Sequence, residues 1–454
     1  MQLAPALRLS CDPLRPDVIA VVGGGGKSSA VFRIALDLAK AGHRAVITHT
    51  ARIAAFQTEW APAFIETTED HLPLAALARA LDRHGVCLLT GPVVADRRAG
   101  LLPATVDALA RQASALGIVA ITIEADGSKM RPVKAPAEHE PVLPDSTTIL
   151  APVLGLDAIG AEIEDRGVHR PELVRQVLGL PPTGIARLTP SQAARLLVHP
   201  AGGAKNRPAT ASLLPLLNKA DTPLHLVYGR LVAHCLSALG QPALLTAVGA
   251  PDRDPVAERW GPVAVVVLAA GASSRMGRPK PLEPVDGKPM VIRAVETAAA
   301  AGAGPVMLVT GAQAAAVCAA LAFWQESAPT QVHVIHNPAW ESGQASSMQA
   351  ALRSLPAAVS AAILMPVDQP YLDPLLLRQL VHAWQRGADL VAPTVDGVVR
   401  GAPALFDRSR FTELLAVTGD VGGRALLQRH THDVVGIPAD ARWLKDIDRP
   451  ADLA

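Results

Sequence analysis

Leu268-Ala269-Ala270-Gly271-Ala272-Ser273-Ser274-Arg275-Met276-Gly277-Arg278-Pro279-Lys280 is the stretch on which the reading of this chain turns. The residues before it, Val263-Ala264-Val265-Val266-Val267, form an apolar, β-branched run of the kind buried on both faces of a parallel sheet. Small residues then let backbone N–H groups approach phosphates closely. Arg275 and Lys280 add two cations with no acidic residue between them, which suits a triphosphate. A plain Gly- and Ser-rich turn would not need the strand, the loop and the spaced cations together.

A second loop of this kind lies near the start. Val18–Val22 reads as a short buried strand, followed by Gly23-Gly24-Gly25-Gly26-Lys27-Ser28-Ser29 and a helical pattern that runs to about Lys40 and stops at Gly42. Backbone amides and a helix N-terminus would face an anion, Lys27 would supply charge, and Ser28 would ligate magnesium. Val21 stands where the first glycine of the full Walker pattern belongs, so this is the shorter G-x-x-G-K-S form. Short apolar runs at 44–48, 86–90 and 117–123 complete an α/β pattern. The last ends in Glu124-Ala125-Asp126-Gly127-Ser128-Lys129, acidic residues at the strand end where open α/β sheets bind ligands. Asp126 or Glu124 is therefore a candidate magnesium ligand, with Lys134, Pro136, His139 and Glu140 crowding the same segment. Asn218-Lys219-Ala220-Asp221 has the N-K-x-D form that reads guanine in GTPases.

Composition sets the outer limits. A chain of 454 residues predicts two or three domains, and 50% hydrophobic with only 3% aromatic residues predicts cores of Ala, Leu and Val. A net charge of +1 argues against a nucleic-acid or polybasic membrane surface. Four scattered cysteines, Cys11, Cys87, Cys235 and Cys318, form no C-x-x-C pair, which fits a reducing cytoplasm. Arg8, Asp12 and Pro13 stand where a signal peptide needs its apolar stretch, and no apolar run is long enough to span a bilayer. Charge, proline and glycine replace apolar periodicity at 247–261, so the expected division is a domain at 1–246, a linker at 247–261 and a domain at 262–454.

In the second half, strands expected at 263–268, 306–310, 332–336, 361–365 and 390–392 alternate with Ala- and Leu-rich helical patterns. Asp368 follows the fourth strand, and Asp446 and Asp448 lie near the C-terminus. Two such carboxylates with three phosphates would suit octahedral magnesium.

Two resemblances extend this reading. The segments G-G-G-G-K-S-S, E-A-D-G-S-K, P-x-K-A-P-A-E-H-E-P and L-N-K-A-D resemble the YqeC-type proteins, described as accessory factors of selenium-dependent molybdenum hydroxylases. Thr48-His49-Thr50 departs from the family's threonine run. The resemblance implies a P-loop-like, nucleotide-dependent domain taking ATP or GTP. Its candidate site residues are Gly23, Gly25, Gly26, Lys27, Ser28, Ser29, Glu124, Asp126, Lys129, Lys134, His139, Asn218, Lys219 and Asp221.

The loop at 268–280 fills every fixed position of L-A-A-G-x-S-x-R-M-G-x-x-K, and so resembles the molybdenum-cofactor nucleotidyltransferases of MocA and MobA type. Asn337-Pro338, Gly343–Met348, Arg400-Gly401-x-Pro403 and Gly419–Arg424 resemble that family's substrate-side segments. The V-D-Q-P at 367–370 replaces a common D-M-P. This resemblance implies a Rossmann-like fold of nucleotide-diphospho-sugar-transferase type, and transfer of a nucleotide from its triphosphate to molybdopterin. Arg275, Lys280 and Asp368 would be catalytic, with Leu268, Ala269, Ala270, Gly271, Ser273, Ser274 and Gly277 on the nucleotide. Asn337, Gly343, Ser346, Ser347, Arg400 and Gly401 would hold the acceptor, and Asp368 with Asp448 or Asp446 would hold magnesium. Ala270 resembles the branch that uses CTP, since guanylyl-transferring relatives read L-A-G-G. The alternatives are guanylyl transfer, a sugar- or isoprenoid-phosphate acceptor, and a first half that docks a recipient hydroxylase of xanthine dehydrogenase type under nucleotide control.

Overall fold

The β-branched and alanine-rich runs become the central strands of two sheets in the computed structural model, which describes residues 1–68, 72–250, 253–273, 275–326, 328 and 330–453. Ser274, expected at the nucleotide, lies outside the described residues. The chain divides into two units, Met1–Trp260 and Gly261–Ala454.

Unit 1 contains β1 (Asp17–Gly23), α1 (Lys27–Lys40), β2 (Arg44–His49), β3 (Phe64–Glu66), β4 (Val86–Thr90), β5 (Ile118–Glu124), β6 (Ile149–Gly155), β7 (Leu216–Asn218), β8 (Ala243–Thr246) and β9 (Val256–Trp260). They form a sheet in the order β9-β8-β7-β6-β1-β5-β2-β4-β3, parallel except at β8 and β9. Pro215 separates β7 from the short strand Ser212–Leu213 beside β6, because proline brings no N–H to a ladder. Alternation along β1 fills two layers. Ile19 and Val21 pack with Ile34 and Leu38 of α1, whereas Val18, Ala20 and Val22 pack with Leu77 and Leu109 on the opposite face.

The stretch read as a linker is partly sheet. Val256–Trp260 is β9, and Glu258 is buried there against Arg230, whose Nε lies 2.9 Å from Oε1. The Glu258 charge in this stretch is thus the buried half of an ion pair with half-exposed Arg230.

Unit 2 contains β10 (Val263–Ala269), α2 (Met290–Ala301), β11 (Val306–Thr310), β12 (Val332–His336), α3 (Gln344–Ser354), β13 (Ala361–Pro366), α4 (Pro374–Gln385), β14 (Leu390–Val395), β15 (Ala404–Asp407) and β16 (Val434–Pro438). Their order is β12-β11-β10-β13-β15-β14, with β16 also pairing β14. The first four are parallel and β15 is antiparallel to both its neighbours. Val263, Val265 and Val267 face α2 and α4 through Val291, Val295, Leu376 and Leu380. Ala264 and Val266 face α3 through Met348 and Leu352.

Both β1 and β10 sit inside their sheets with following strands on either side, so the loop after each opens over the crevice at the strands' carboxyl ends. Among the described residues, no helix is long and apolar enough to cross a membrane.

Candidate functional site

In unit 2 the loop after β10 is pinned to its own cation. Ser273 has a positive φ of 58°, its carbonyl accepts the Met276 and Gly277 N–H groups, and its Oγ accepts the Lys280 N–H at 2.9 Å. The Lys280 Nζ then lies 2.9 Å from Asp368 Oδ2 and 2.6 Å from Asp448 Oδ1. Asp368 is delivered by the end of β13, next to β10, and Asp448 by the C-terminal segment. Buried Ile447 fastens the two together by donating its N–H to the Asp368 carbonyl at 2.9 Å. Arg275, largely exposed, reaches Asp448 Oδ2 at 3.3 Å.

The electrostatics follow from these contacts. Burial works to lower the Lys280 pKa, but Asp368 and Asp448 outweigh it and hold it above the ordinary lysine value. The Lys280 hydrogen bond holds Asp448 below the usual carboxylate range. Asp446 is raised, first by burial and then by its two charged neighbours, against a 3.0 Å hydrogen bond from Gln369 Nε2.

Two clefts meet at this cluster. One, of about 780 Å³, is lined by Leu268, Ala269, Ala270, Gly271, Ser273, Arg275 and Lys280, and across from them by Trp340, Gly343, Gln344 and Ser347. The other, of about 680 Å³, is lined by Gln369, Arg400, Gly401, Arg424 and Asp446. Asp368, Asp448, Gln344 and Leu268 border both.

The expected acceptor residues therefore divide. Gly343 and Ser347 face the first cleft, while Arg400 and Gly401 face the second. Asn337 is buried and gives its amide hydrogens to Ser346 Oγ at 2.8 Å and Ser347 Oγ at 2.9 Å. It ties the end of β12 to the start of α3. Gly343 has a φ of 106°, and a Cβ there would press on the Gly419–Asp420 backbone. Trp340, Gln344 and Arg424 were not singled out individually, although Gln344 and Arg424 fall inside quoted motifs.

Unit 1 presents a second loop-and-cation arrangement. Lys27 is 4% exposed, with Nζ donating to the Gly23 carbonyl at 2.8 Å and lying 3.4 Å from Asp126 Oδ1. Asp126, expected to hold a metal, accepts the Gly23 N–H at 3.1 and 3.0 Å and lies 3.0 Å from Lys134 Nζ. One amide and two ammonium groups engage both its oxygens, so in this structure it anchors the loop. Ser28 donates to Glu124 Oε2 at 2.7 Å. Burial, then the Asp126 charge, raises the Glu124 pKa against the opposing pull of Lys27 and Ser28. Lys134 also meets Glu140 at 2.6 Å, and Arg170 joins Glu140 at 2.7 Å. Burial works to raise Glu140, but these two cations hold it down at about 2. The first turn of α1, with Ser29, has no side-chain cap.

Asn218 serves this loop as well. Its Nδ2 donates to the Gly25 carbonyl at 2.7 Å, while its Oδ1 accepts from Thr246 and Val248. Lys219 pairs with Asp157 at 2.6 Å, and Asp221 lies 3.6 Å from His225. Lys129 and His139 are exposed. Arg170 gave no local signal. It arrives because Val168–His169 pairs with Val133–Lys134, a contact between distant segments.

Comparison with known proteins agrees with this division. Residues 19–172 match the family described as YqeC protein, and residues 265–434 match the MobA-like NTP transferase domain. An uncharacterized protein YqeC of Escherichia coli (strain K12) is 33% identical over 205 residues, 45% of this chain and 77% of that one. A nicotine blue oxidoreductase of Paenarthrobacter nicotinovorans is 35% identical over 174 residues, 36% of this chain and 80% of that one. The crystal structure of Rv0371c from Mycobacterium tuberculosis H37Rv is 28% identical, covering 42% of this chain and 95% of that one, with a TM-score of 0.36.

Proposed function

The chain belongs to the YqeC family, here fused to a MobA-like NTP transferase domain, and from that premise we propose that unit 2 is a molybdenum cofactor cytidylyltransferase. A terminal phosphate oxygen of molybdopterin would attack the α-phosphorus of CTP, and pyrophosphate would leave. The observation that carries the reading is the meeting of Lys280, Asp368 and Asp448 where the two clefts join. The loop of the first cleft takes the triphosphate, and the second cleft, with Arg400 and Arg424, takes the anionic acceptor. The reacting oxygen and phosphorus then meet beside Lys280. No protein nucleophile is required, because placement and electrostatics lower the barrier.

Arg275 addresses the outer phosphates, and Lys280 the charge that develops near the α-phosphate. Carboxylate oxygens are the donors that magnesium prefers, and Asp368 and Asp448 would hold it. Once bound, it supplies neutralising charge to the phosphates. Asp446 is turned to Gln369 and serves the carboxylate pair indirectly. Ala270 lines the nucleotide cleft, and the L-A-A-G form supports CTP over GTP.

Unit 1 is read as a nucleotide-dependent accessory domain, using ATP or GTP at Lys27, that serves a recipient molybdenum hydroxylase. A second reading of unit 2 follows from the likeness to a nicotine blue oxidoreductase, which would make it a redox enzyme. The loop cations and paired carboxylates favour phosphate chemistry.

The test is a transfer assay with molybdopterin, magnesium and CTP, GTP or ATP in parallel. We expect a cytosine dinucleotide and equimolar pyrophosphate, with Lys280→Ala and Asp368→Ala each lowering kcat/KM by roughly 10²-fold or more. A guanine product would overturn the base assignment alone. No product from folded protein would overturn nucleotidyl transfer to this acceptor.

A further inference from the structure

Lys280 stands in the place a metal would be expected to take. Its ammonium lies within 3 Å of one oxygen from each of Asp368 and Asp448, at 2.9 and 2.6 Å. These are the two carboxylates assigned above to a divalent cation. Its side chain is only 13% exposed, and its backbone N–H is fastened to Ser273. Arg275 takes the other oxygen of Asp448, Oδ2, at 3.3 Å. One ammonium and one guanidinium therefore already balance two carboxylates. Among the described residues, no cluster of three or more His, Cys, Asp or Glu side chains is arranged to hold a metal ion.

We propose that Lys280 is a resident counter-ion that closes the Asp368–Asp448 pair to a free divalent cation, so that the metal enters only with the nucleotide's phosphates. The physical reason is competition for the same negative charge. A dication about 4 Å from an ammonium, in a half-buried site, is repelled by it and must also displace it from the carboxylates they would share, so both effects weaken metal binding. Phosphate oxygens change that balance, since they offer Lys280 and Arg275 new partners and provide the metal with additional oxygen ligands. The loop lysine passes from carboxylate to phosphate while the cation takes its position. Binding would then be ordered, with nucleotide and metal arriving together. The enzyme would not hold a metal between turnovers.

This inference rests on the transferase reading of unit 2, and its test separates the two. Manganese is titrated into the full chain and free Mn²⁺ is followed by electron paramagnetic resonance, without nucleotide, with CTP and with GTP. Wild-type protein alone should bind Mn²⁺ weakly, and CTP should tighten binding at least about tenfold beyond the metal taken up by CTP itself. Lys280→Met, which keeps the stem and removes the charge, should bind Mn²⁺ without nucleotide at least about tenfold more tightly than wild type. Adding Asp368→Asn to that variant should remove the gain. Equal Mn²⁺ affinity in wild type and Lys280→Met would overturn the proposal, as would a gain that survives Asp368→Asn. If Lys280→Met fails to fold, tight nucleotide-free binding by wild type still overturns it. A gain in Lys280→Met with no effect of either nucleotide would leave the lysine's role standing and overturn the transferase reading.

Discussion

His49 interrupts a run of threonines and is 1% exposed at the end of β2. Its Nδ1 lies 2.6 Å from the Ala51 carbonyl, which can only accept, so Nδ1 carries the proton and Nε2 accepts from Thr90 Oγ1 at 2.8 Å. Burial foremost holds its pKa down at about 4. The unfolded chain takes a proton below about pH 6.5, and the folded one only below about 4, so between these values the unfolded state binds more protons. Stability should therefore fall as pH drops through that window, by up to roughly 3 kcal/mol from this group. His49→Gln should flatten the decline, as read from denaturant midpoints between pH 7 and 4. An unchanged pH profile would count against a neutral, buried imidazole. The sequence marks His49 as a departure but cannot show that both ring nitrogens are engaged. Asp126 teaches the same lesson, since an acidic residue at a strand end can ligate a metal or anchor a loop. The Gly23 amide and Lys134 show the second of these roles, which strand position alone does not reveal.

The strand-loop-helix element from β1 to α1 was legible because each of its parts has a local cause. Less legible was what the glycines do. Gly25 has a φ of 85°, and a Cβ there would collide with the Gly155 backbone at the end of β6. Left-handed backbone and steric overlap act together, so Gly25→Ala should destabilise unit 1 by roughly 2–4 kcal/mol. Chemical denaturation followed in unit 1 would register the loss, and a change below about 1 kcal/mol would refute the packing role. Motif reading assigns the glycines to a phosphate; the structure adds that the loop is wedged against β6 and held by Asn218. Long-range pairings of this sort explain why Arg170 and β9 escaped notice. Periodicity reports which face of a segment is buried, not which distant segment it meets.

At the scale of the molecule, each unit has its own cores, built from Ala, Leu, Val and Ile as a composition with 3% aromatic residues requires. Each also carries its own loop lysine, Lys27 in one and Lys280 in the other. Lys27→Ala should therefore leave pyrophosphate release by unit 2 within about twofold of wild type while abolishing nucleotide binding by unit 1. Loss of transfer in that variant would mean that the two sites are coupled. The scarcity of aromatic side chains has an optical consequence. The chain holds six tryptophans, and Trp340 borders the cleft that receives the nucleotide loop, whereas Trp384 is buried and donates to Asp407. A base or pterin settling beside Trp340 would quench one of six indole emitters. Quenching on addition of CTP that is lost in Trp340→Phe would therefore report a ligand in that cleft, and unchanged quenching in the variant would place the ligand elsewhere.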